Sequence, residues 1–321
     1  MKLVIQIPCY NEEKTLPVSL ADLPKEISGI DVIETLIIDD GSTDDTQKVA
    51  RQAGVNHIVS FSRNRGLAKA FMAGIEKSLE VGADIIVNTD ADNQYRADDI
   101  PLLVEPILSQ KADFVVGQRP ISEIEHFSRL KKILQKLGSW VVRVASKTDI
   151  PDAPSGFRAM NREAAKRLHV FSEYTYTLET IIQAGQKGFA VASVPVRTNK
   201  DMRESRLVKS IRSYVARSIS TIIRVFMTYK PFRFFAVPGA TCFILGFLLG
   251  ARFIYFYMVG DGDGHIQSII LSGILMTTGF LMSVIGLVAD LISVNRKLLE
   301  QIDWRVKNIE EEIRKKTLDR K

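Results

Sequence analysis

The sequence has little of the chemistry that builds disulfide-rich or zinc-dependent proteins. Its 321 residues include two cysteines and four histidines, and Cys9 and Cys242 fall at a predicted strand end and in a long apolar run. Two cysteines so placed form no disulfide framework and fit a reducing compartment. The scattered histidines offer no zinc site.

Charge is absent from two long segments of the C-terminal part. Residues 234–251 and 266–289 contain no Asp, Glu, Lys or Arg. Because about 20 apolar residues cross a hydrocarbon layer, we predict two transmembrane helices joined by a turn at residues 260–264. The first helix continues past Arg252 to Val259, with the guanidinium snorkelling or facing a partner. A buried hairpin of a soluble protein is the alternative.

The charges beside these two spans predict their orientation. Basic residues flank the pair at Lys230, Arg233, Arg296 and Lys297, whereas the turn carries only acidic charge. By the positive-inside rule both ends of the chain are cytosolic. The N-terminal residues enter an apolar strand directly, so we expect no secretory leader. We expect an integral protein of the cell membrane, or of an ER-type membrane in a eukaryote.

The first 200 residues alternate between short apolar runs and helical patterns. Strands are predicted near residues 2–8, 33–38, 56–60, 84–89 and 113–117, and helices near 12–27, 43–53, 66–80 and 98–110. This alternation is typical of an α/β fold with a mostly parallel sheet covered on both faces. Such sheets bind ligands at the carboxyl ends of their strands.

The predicted strand over residues 84–89 is followed by two carboxylates, Asp90 and Asp92. They can converge only where the strand becomes a loop, because successive strand side chains point to opposite faces. Carboxylates so placed suit Mg²⁺ or Mn²⁺, which takes further ligands from water and substrate phosphates. An acidic turn is the plainer interpretation. Polar clusters after the first two strands, at residues 8–12 and 39–42, favour the metal.

Three further segments have a helical pattern of apolar residues. Residues 127–147 and 207–230 are amphipathic and basic. Such helices lie in a membrane interface, although core-facing helices with solvated basic faces give the same pattern. Beyond the second span, spacings of three and four relate Leu299, Ile302, Val306, Ile309 and Ile313. They predict a short coiled coil and a homo-oligomer, with a helix lying on the sheet domain as the alternative.

Six motifs in order resemble those of the polyprenyl-phosphate glycosyltransferases. They are IPCYNE at residues 7–12, DDGS at 39–42, NRG at 64–66, DADNQ at 90–94, GQR at 117–119 and SGFR at 155–158. Together with the paired spans, they make the chain similar to inverting family 2 enzymes such as dolichyl-phosphate mannose synthases and bacterial undecaprenyl-phosphate glucosyltransferases. The resemblance implies a GT-A, Rossmann-like fold.

The resemblance also implies a reaction and a division of the chain. A sugar would pass with inversion from a nucleoside-diphosphate sugar, with UDP-glucose or GDP-mannose leading, to a polyprenyl phosphate at the cytosolic membrane face. We expect a GT-A catalytic domain at residues 1–206, a juxtamembrane amphipathic helix at 207–232, two transmembrane helices within 233–292 and a cytosolic helix at 293–321.

Carried over by position, the family's donor pocket contains three groups of residues. Pro8, Tyr10 and Glu12 surround the base, Asp39 and Asp40 lie at the nucleotide, and Asp90, Asp92 and Gln94 surround the metal, with Asp92 essential for catalysis. In family members a basic loop closes on the diphosphate, and Arg203, Ser205 and Arg206 occupy its place here. For each of these cations a solvated charge near the membrane is the alternative.

The acceptor that the resemblance implies is a lipid monophosphate. Its second ionisation lies near pH ~6, so it is largely anionic at neutral pH and needs cations to align it rather than a strong base. Arg119 fits that role, Lys132 takes the place of a second arginine, and Gln135 replaces a hydroxyl residue. Asp152 matches a residue suggested as a base in the family, but we expect it to orient Arg158 or a loop.

Two other functions are left open. A processive polysaccharide synthase would be expected to carry a Q-x-x-R-W motif and more spans, and the nearest string, residues 301–305, follows the last span in the wrong order. A catalytically inactive membrane scaffold or accessory subunit would keep the fold, and intact Asp90, Asp92 and Arg119 argue against it. No nucleic acid is expected as a partner, because no aromatic residues interleave with the basic ones.

Overall fold

A computed structural model describes most of the chain. It covers residues 1–120, 140, 142–170, 176–199, 220, 223–224, 227–260 and 265–318. The chain divides into two compact units, Met1–Ile219 and Ser220–Lys321. The first unit contains a sheet with its helices, and the second contains two long helices.

The N-terminal unit begins with regular alternation of strands and helices. Strands β1 to β5 are Lys2–Cys9, Val32–Asp39, His57–Ser60, Ile85–Asn88 and Phe114–Gln118, and helices α1 to α4 are Leu16–Ala21, Thr46–Gln52, Leu67–Glu80 and Ile100–Leu108. They are followed by β6 at Arg158–Asn161, α5 at Arg162–Arg167, α6 at Thr177–Gln186 and β7 at Val191–Pro195. The five predicted strands are confirmed, whereas the helix predicted near residues 12–27 is shorter.

The sheet confirms the predicted mostly parallel α/β architecture. Its strand order is β3-β2-β1-β4-β6-β5-β7. β1 pairs in parallel with both β2 and β4, and β6 lies antiparallel between β4 and β5. Because Arg158 of β6 pairs with Asn88 of β4, the residues before β6 lie at the same edge as those after β4.

Apolar residues of β1 fix the sheet between its helices. Leu3, Ile5 and Ile7 belong to one buried cluster with Leu16 of α1 and Leu103 of α4. On the other side, α3 buries Phe71 and Ile75. Covered on both faces, the sheet leaves its strand ends for polar residues.

Two helices of the C-terminal unit, α7 at Pro231–Val259 and α8 at Ile266–Leu318, are long and apolar enough to cross a membrane. Only 11% and 17% of their most apolar windows are buried. Helix α8 is continuous for 53 residues, about 80 Å. The helix predicted for the C-terminal tail is therefore an extension of the second candidate span.

Small residues bring α7 and α8 into close contact. The Ser272 hydroxyl donates a hydrogen bond to the Gly246 carbonyl at 2.7 Å. A Cβ added to Gly246 would lie 2.9 Å from the Met276 backbone nitrogen, and one added to Gly279 would lie 2.5 Å from the Gly239 carbonyl oxygen. Such backbone-to-backbone approach is typical of helices that pack within lipid.

The predicted interfacial helices fall largely outside the described residues. Of the first, residues 142–146 are helical, with Val142 and Ala145 buried and Trp140 51% exposed. Of the second, residues 207–219 lie outside the description, as do residues 261–264 of the predicted turn.

Candidate active site

The carboxyl ends of β1 and β2 meet at one edge of the sheet. Cys9 pairs with Asp39 in the strand register, and the backbone nitrogen of Asp40 donates to the Cys9 carbonyl at 2.8 Å. Beyond the strands, the backbone nitrogen of Asn11 donates to the Ser42 hydroxyl at 2.9 Å. The loops that carry the first two predicted motifs are therefore joined.

The first of these loops contains three predicted donor residues in different settings. Pro8 is buried in β1 opposite Ile38. Tyr10 is 39% exposed. Glu12 is buried, and its carboxylate accepts a hydrogen bond from the Thr15 hydroxyl at 2.6 Å. Tyr10 is thus partly exposed, while the Glu12 carboxylate is held within the loop.

Two adjacent carboxylates lie at the carboxyl end of β2, and backbone and side-chain amides hold them. Asp39 is fully buried and accepts a hydrogen bond from the Gln47 side-chain amide at 2.6 Å. Asp40 accepts from the backbone amides of Arg65 and Gly66 at 2.6 and 2.9 Å. Burial raises the pKa of Asp40, and the charge of Asp39 adds to the rise, although both amides act to lower it. The NRG motif therefore supports Asp40 through its backbone.

The loop after β4 carries Asp90, Asp92 and Gln94. Asn93 adopts a left-handed backbone, with φ of 56°, and the Gln94 backbone nitrogen donates to the Asp92 carboxylate at 3.2 Å. Asn199, which follows β7, donates from its backbone and side chain to the carbonyls of Gln94 and Asn93, each at 2.9 Å. The segment after β7 therefore lies against this acidic loop.

An ion pair between a buried carboxylate and an exposed arginine strengthens the same junction. Asp99 is fully buried, and Arg197 donates to its carboxylate from the backbone nitrogen at 2.6 Å and from Nε at 3.0 Å. Burial alone would raise the pKa of Asp99, but the hydrogen bonds from Arg197 outweigh it and hold the pKa below its usual value. The pair fixes the end of β7 beside the acidic loop.

Arg119, just after β5, forms a bidentate ion pair with Asp152. Its Nε and Nη2 donate to the two carboxylate oxygens at 2.8 and 2.9 Å. Asp152 is fully buried, while the Arg119 side chain is 13% exposed. Burial would lower the pKa of Arg119, but Tyr95, Asp152 and Asp90 raise it above its usual value. Arg119 thus stays charged within the field of the acidic loop.

The contacts of Arg158 differ from those expected. Asp152 was expected to orient Arg158 or a loop. Its carboxylate bonds the Arg119 side chain and accepts from the Arg119 backbone nitrogen at 3.2 Å, so it holds the loop after β5. Arg158 is fully buried and donates to the carbonyls of Ala153, Ser155 and Thr177, and burial lowers its pKa to about 10. Asp152 therefore orients Arg119, because main-chain carbonyls satisfy Arg158.

Asp90 and Asp92 fit a hard divalent cation by their oxygen donors and their place at a strand end. Neither is fully buried, so solvent or substrate can reach them. Within the described ranges, no group of three or more His, Cys, Asp or Glu side chains is arranged to hold a metal. An ion here would need other ligands, and water and phosphate oxygens supply them in such sites.

Several residues of this edge were not identified from the sequence. They include Gln47, which supports Asp39, and the Asp99–Arg197 pair. Asn88 of β4 was not identified either. The signal for Asn88 was the presence of one polar residue in each of two apolar strands. These residues, Gln6 and Asn88, pair in register. Of the predicted residues, Lys132, Gln135, Arg203, Ser205 and Arg206 lie outside the described residues.

Comparison with known proteins gives consistent matches. A family model described as glycosyl transferase family 2 matches residues 4–168. The UDP-N-acetylglucosamine–dolichyl-phosphate N-acetylglucosaminyltransferase of Methanococcus voltae is 30% identical over 217 residues, which cover 60% of this chain and 83% of that protein. The undecaprenyl-phosphate mannosyltransferase of Micrococcus luteus is 26% identical over 219 residues, 64% of this chain and 88% of that protein.

A solved structure matches the fold. The glucosyl-3-phosphoglycerate synthase of Mycobacterium tuberculosis, in complex with Mn²⁺, UDP and glucosyl-3-phosphoglycerate, superposes with a TM-score of 0.56 at 19% identity. The match covers 70% of this chain and 78% of that one. The predicted GT-A fold is confirmed.

Proposed function

Because the chain belongs to glycosyl transferase family 2, we propose that it transfers one sugar from a nucleoside-diphosphate sugar to a polyprenyl phosphate at the cytosolic face of a membrane. The relatives named for dolichyl and undecaprenyl phosphate support the acceptor class. UDP-glucose and GDP-mannose are the leading donors. The two apolar helices supply the membrane attachment that a lipid substrate requires.

The Arg119–Asp152 pair is the observation that carries this proposal. A guanidinium has more N–H donors than one carboxylate accepts, so a phosphate can share the fork that Asp152 orients. Arg119 remains charged and is electrostatically coupled to Asp90 across the edge of the sheet. The fixed positive charge of Arg119 suits the anionic phosphate of the acceptor. The acidic loop beside it suits a metal-bound donor.

The donor residues support the other half of the reaction. A Mg²⁺ or Mn²⁺ ion held by Asp90, Asp92 and Gln94 would supply the charge that offsets the departing diphosphate. The structural neighbour solved with Mn²⁺ and UDP supports such a requirement. Pro8, Tyr10, Glu12, Asp39 and Asp40 belong to the two joined loops beside this site and are proposed to bind the nucleoside.

The basic loop is proposed to reach the diphosphate. Asn199 is bonded to Gln94, and Arg203 follows it by four residues. Four residues span about 14 Å at most, so chain length allows Arg203 to reach the acidic loop. Arg203, Ser205 and Arg206 are proposed to bind the diphosphate. The acceptor roles of Lys132 and Gln135 are retained as proposals.

Asp152 is assigned to orienting Arg119 rather than to general base catalysis. Both of its oxygens accept hydrogen bonds from one guanidinium, and it is fully buried. A lipid phosphate that is already ionised at neutral pH attacks without losing a proton to the protein. A single in-line displacement then inverts the anomeric carbon.

We also propose that residues 1–206 form the catalytic domain and that 207–232 lie in the membrane interface. The two spans fall within residues 233–292, and the tail at 293–321 joins copies of the chain. The basic flanks of the spans support the proposal that both termini lie in the cytosol.

The test is transfer by the purified full-length protein in detergent with Mn²⁺, a polyprenyl phosphate and a panel of labelled donors. We expect one glycolipid whose bond is acid-labile. Asp92→Ala should abolish transfer in folded, membrane-bound protein, whereas Asp98→Ala, at an exposed aspartate nearby, should not. Nucleotide binding without transfer would instead support a scaffold, and a polymeric product would support a processive synthase.

A further inference from the structure

Asn88 has no part in the proposed reaction, although it lies two residues before Asp90. It is fully buried in β4, and the Gln6 side-chain amide donates to its Oδ1 at 2.9 Å from β1. Polar side chains inside a sheet cost free energy unless they are hydrogen-bonded. When bonded on all sides, they are rigid.

The Asn88 amide connects β4 to the loop before β6. Its Nδ2 lies 2.9 Å from both the Gly156 carbonyl oxygen and the Tyr176 Oη. On the other side of the same residue, the Gly156 backbone nitrogen donates to the Tyr95 Oη at 3.0 Å. Side chains from separate segments therefore hold both polar groups of Gly156.

Gly156 lies directly against the carboxylate of Asp90. A Cβ built on Gly156 would be 3.0 and 3.1 Å from the two carboxylate oxygens and 3.1 Å from the Tyr176 Oη. The Tyr176 ring stacks on Phe71 of α3, with centroids 3.9 Å apart and ring planes at 4°. The carboxylate and the hydroxyl thus approach the same face of a fixed glycine.

We propose that Asn88, Gly156 and Tyr176 position the Asp90 carboxylate for the divalent cation of the donor site. This inference rests on the proposed function, since it takes Asp90 as a metal ligand. The three are positioning residues, because they act on the ion only through Asp90. Losing such an outer partner lowers metal affinity by about 10- to 100-fold in known metal sites.

Tyr176→Phe tests the proposal with little change in packing, because the ring that stacks on Phe71 is kept. Mn²⁺ affinity is measured from the EPR signal of free Mn²⁺, with the full-length protein in detergent and UDP or GDP present. We expect the dissociation constant for Mn²⁺ to rise about 10-fold. The Mn²⁺ concentration for half-maximal transfer should rise similarly, with the rate largely recovered at saturating Mn²⁺.

Gly156→Ala tests the close approach of Gly156 to the Asp90 carboxylate without removing a hydrogen bond. Its backbone lies outside the left-handed region, so alanine is tolerated there, but the new methyl group would push on the Asp90 oxygens. We expect weaker Mn²⁺ binding here too. Tyr255→Phe is the matched control, because this tyrosine of α7 is 64% exposed and lies far from the site in sequence.

The outcomes separate this inference from the proposed function. Unchanged Mn²⁺ affinity in both variants, with or without a lower melting temperature, overturns it. So does a wild type that binds no Mn²⁺ in the presence of nucleotide, which would also remove the metal from the proposed function. A wild type that binds Mn²⁺ but transfers no sugar, with weaker binding in Tyr176→Phe, supports the inference and rejects the proposed function.

Discussion

Arg119 and Asp152 differ in exposure, and this difference separates their roles. Arg119 is proposed to bind the lipid phosphate, and Asp152 to position Arg119. The arginine side chain is 13% exposed, whereas its carboxylate partner is fully buried. A substrate anion can therefore reach the cation but not the carboxylate. The two residues are expected to give different phenotypes although they form one ion pair.

Arg119→Ala should weaken use of the lipid phosphate and leave nucleotide affinity nearly unchanged. A hydrogen bond to a charged group contributes about 1.5–3 kcal/mol, so kcat/KM for the lipid should fall about 10- to 100-fold. Initial rates against lipid concentration, with nucleotide binding measured by calorimetry, check this. An equal loss of lipid use and of nucleotide affinity would show that Arg119 binds the donor rather than the acceptor.

Asp152→Asn should raise KM for the lipid phosphate without changing the shape of the pH–rate profile. The amide keeps the volume of the carboxylate but loses the bidentate acceptance that orients Arg119. Melting temperature should also fall, since weakening one partner of a buried ion pair is destabilising. A general base would behave differently, because kcat would fall and the acidic limb of the profile would disappear.

At this scale, the sequence predicts well where the motif residues lie. Four aspartates lie at or just after the carboxyl ends of strands whose order places them at one edge: Asp39, Asp40, Asp90 and Asp92. Partners distant in sequence are not predictable in the same way. Asp152 is 33 residues from Arg119, and no periodicity indicates that it bonds Arg119 rather than Arg158.

Among the elements, β6 determines how the site is assembled. It is four residues long, begins with a buried arginine and runs against its neighbours. Neither a long apolar run nor alternation marks it, so the sequence did not predict it. Its direction nevertheless brings the loop of residues 152–157 to the carboxyl ends of β4 and β5, which completes the edge that the predicted strands began.

The junction of β7 with the acidic loop depends on the Asp99–Arg197 pair and should be sensitive to pH. Because the folded-state pKa of Asp99 is lowered, the pair stabilises the fold above the unfolded pKa of about 3.9. That contribution is lost as pH falls through the folded pKa. Asp99→Asn should therefore lower the melting temperature at pH 7, and the difference from wild type should shrink below about pH 4.

Melting curves in detergent across this pH range check the prediction. Asp98→Asn is the control, because its carboxylate is 66% exposed and bonds Arg96 at the surface. A constant difference at all pH values would show that Asp99 acts through packing rather than through its charge.

For the whole molecule, the sequence predicted two apolar helices but not the continuity of the second. Residues 266–289 lack charge and residues 293–318 are rich in it, so the composition suggests a boundary. Yet no proline or glycine interrupts residues 287–318, and one helix of 53 residues results. The coiled-coil pattern therefore lies on the same continuous helix as the second candidate span.

The C-terminal part of α8 has an exposed apolar face. Leu299, Ile302, Val306, Ile309 and Ile313 are between 45% and 66% exposed, and their spacing alternates between three and four. If Leu299 and Ile302 are the a and d positions of a heptad, Arg305 and Glu310 take g and e positions. In a parallel pair of helices these two charges attract across the seam, so a second copy of this chain suits the face.

Replacing both d-position residues, in Ile302→Asn with Ile309→Asn, should therefore dissociate the proposed oligomer while α8 stays helical. Two buried amides per chain without partners would make the seam unfavourable, whereas an isolated helix would leave them in water. Light scattering coupled to size exclusion, in detergent, measures the mass of the assembly. Gln301→Asn, an exposed change beside the seam, should leave that mass unaltered. An unchanged mass in the double variant would show that this apolar face packs against a surface other than a second copy of α8.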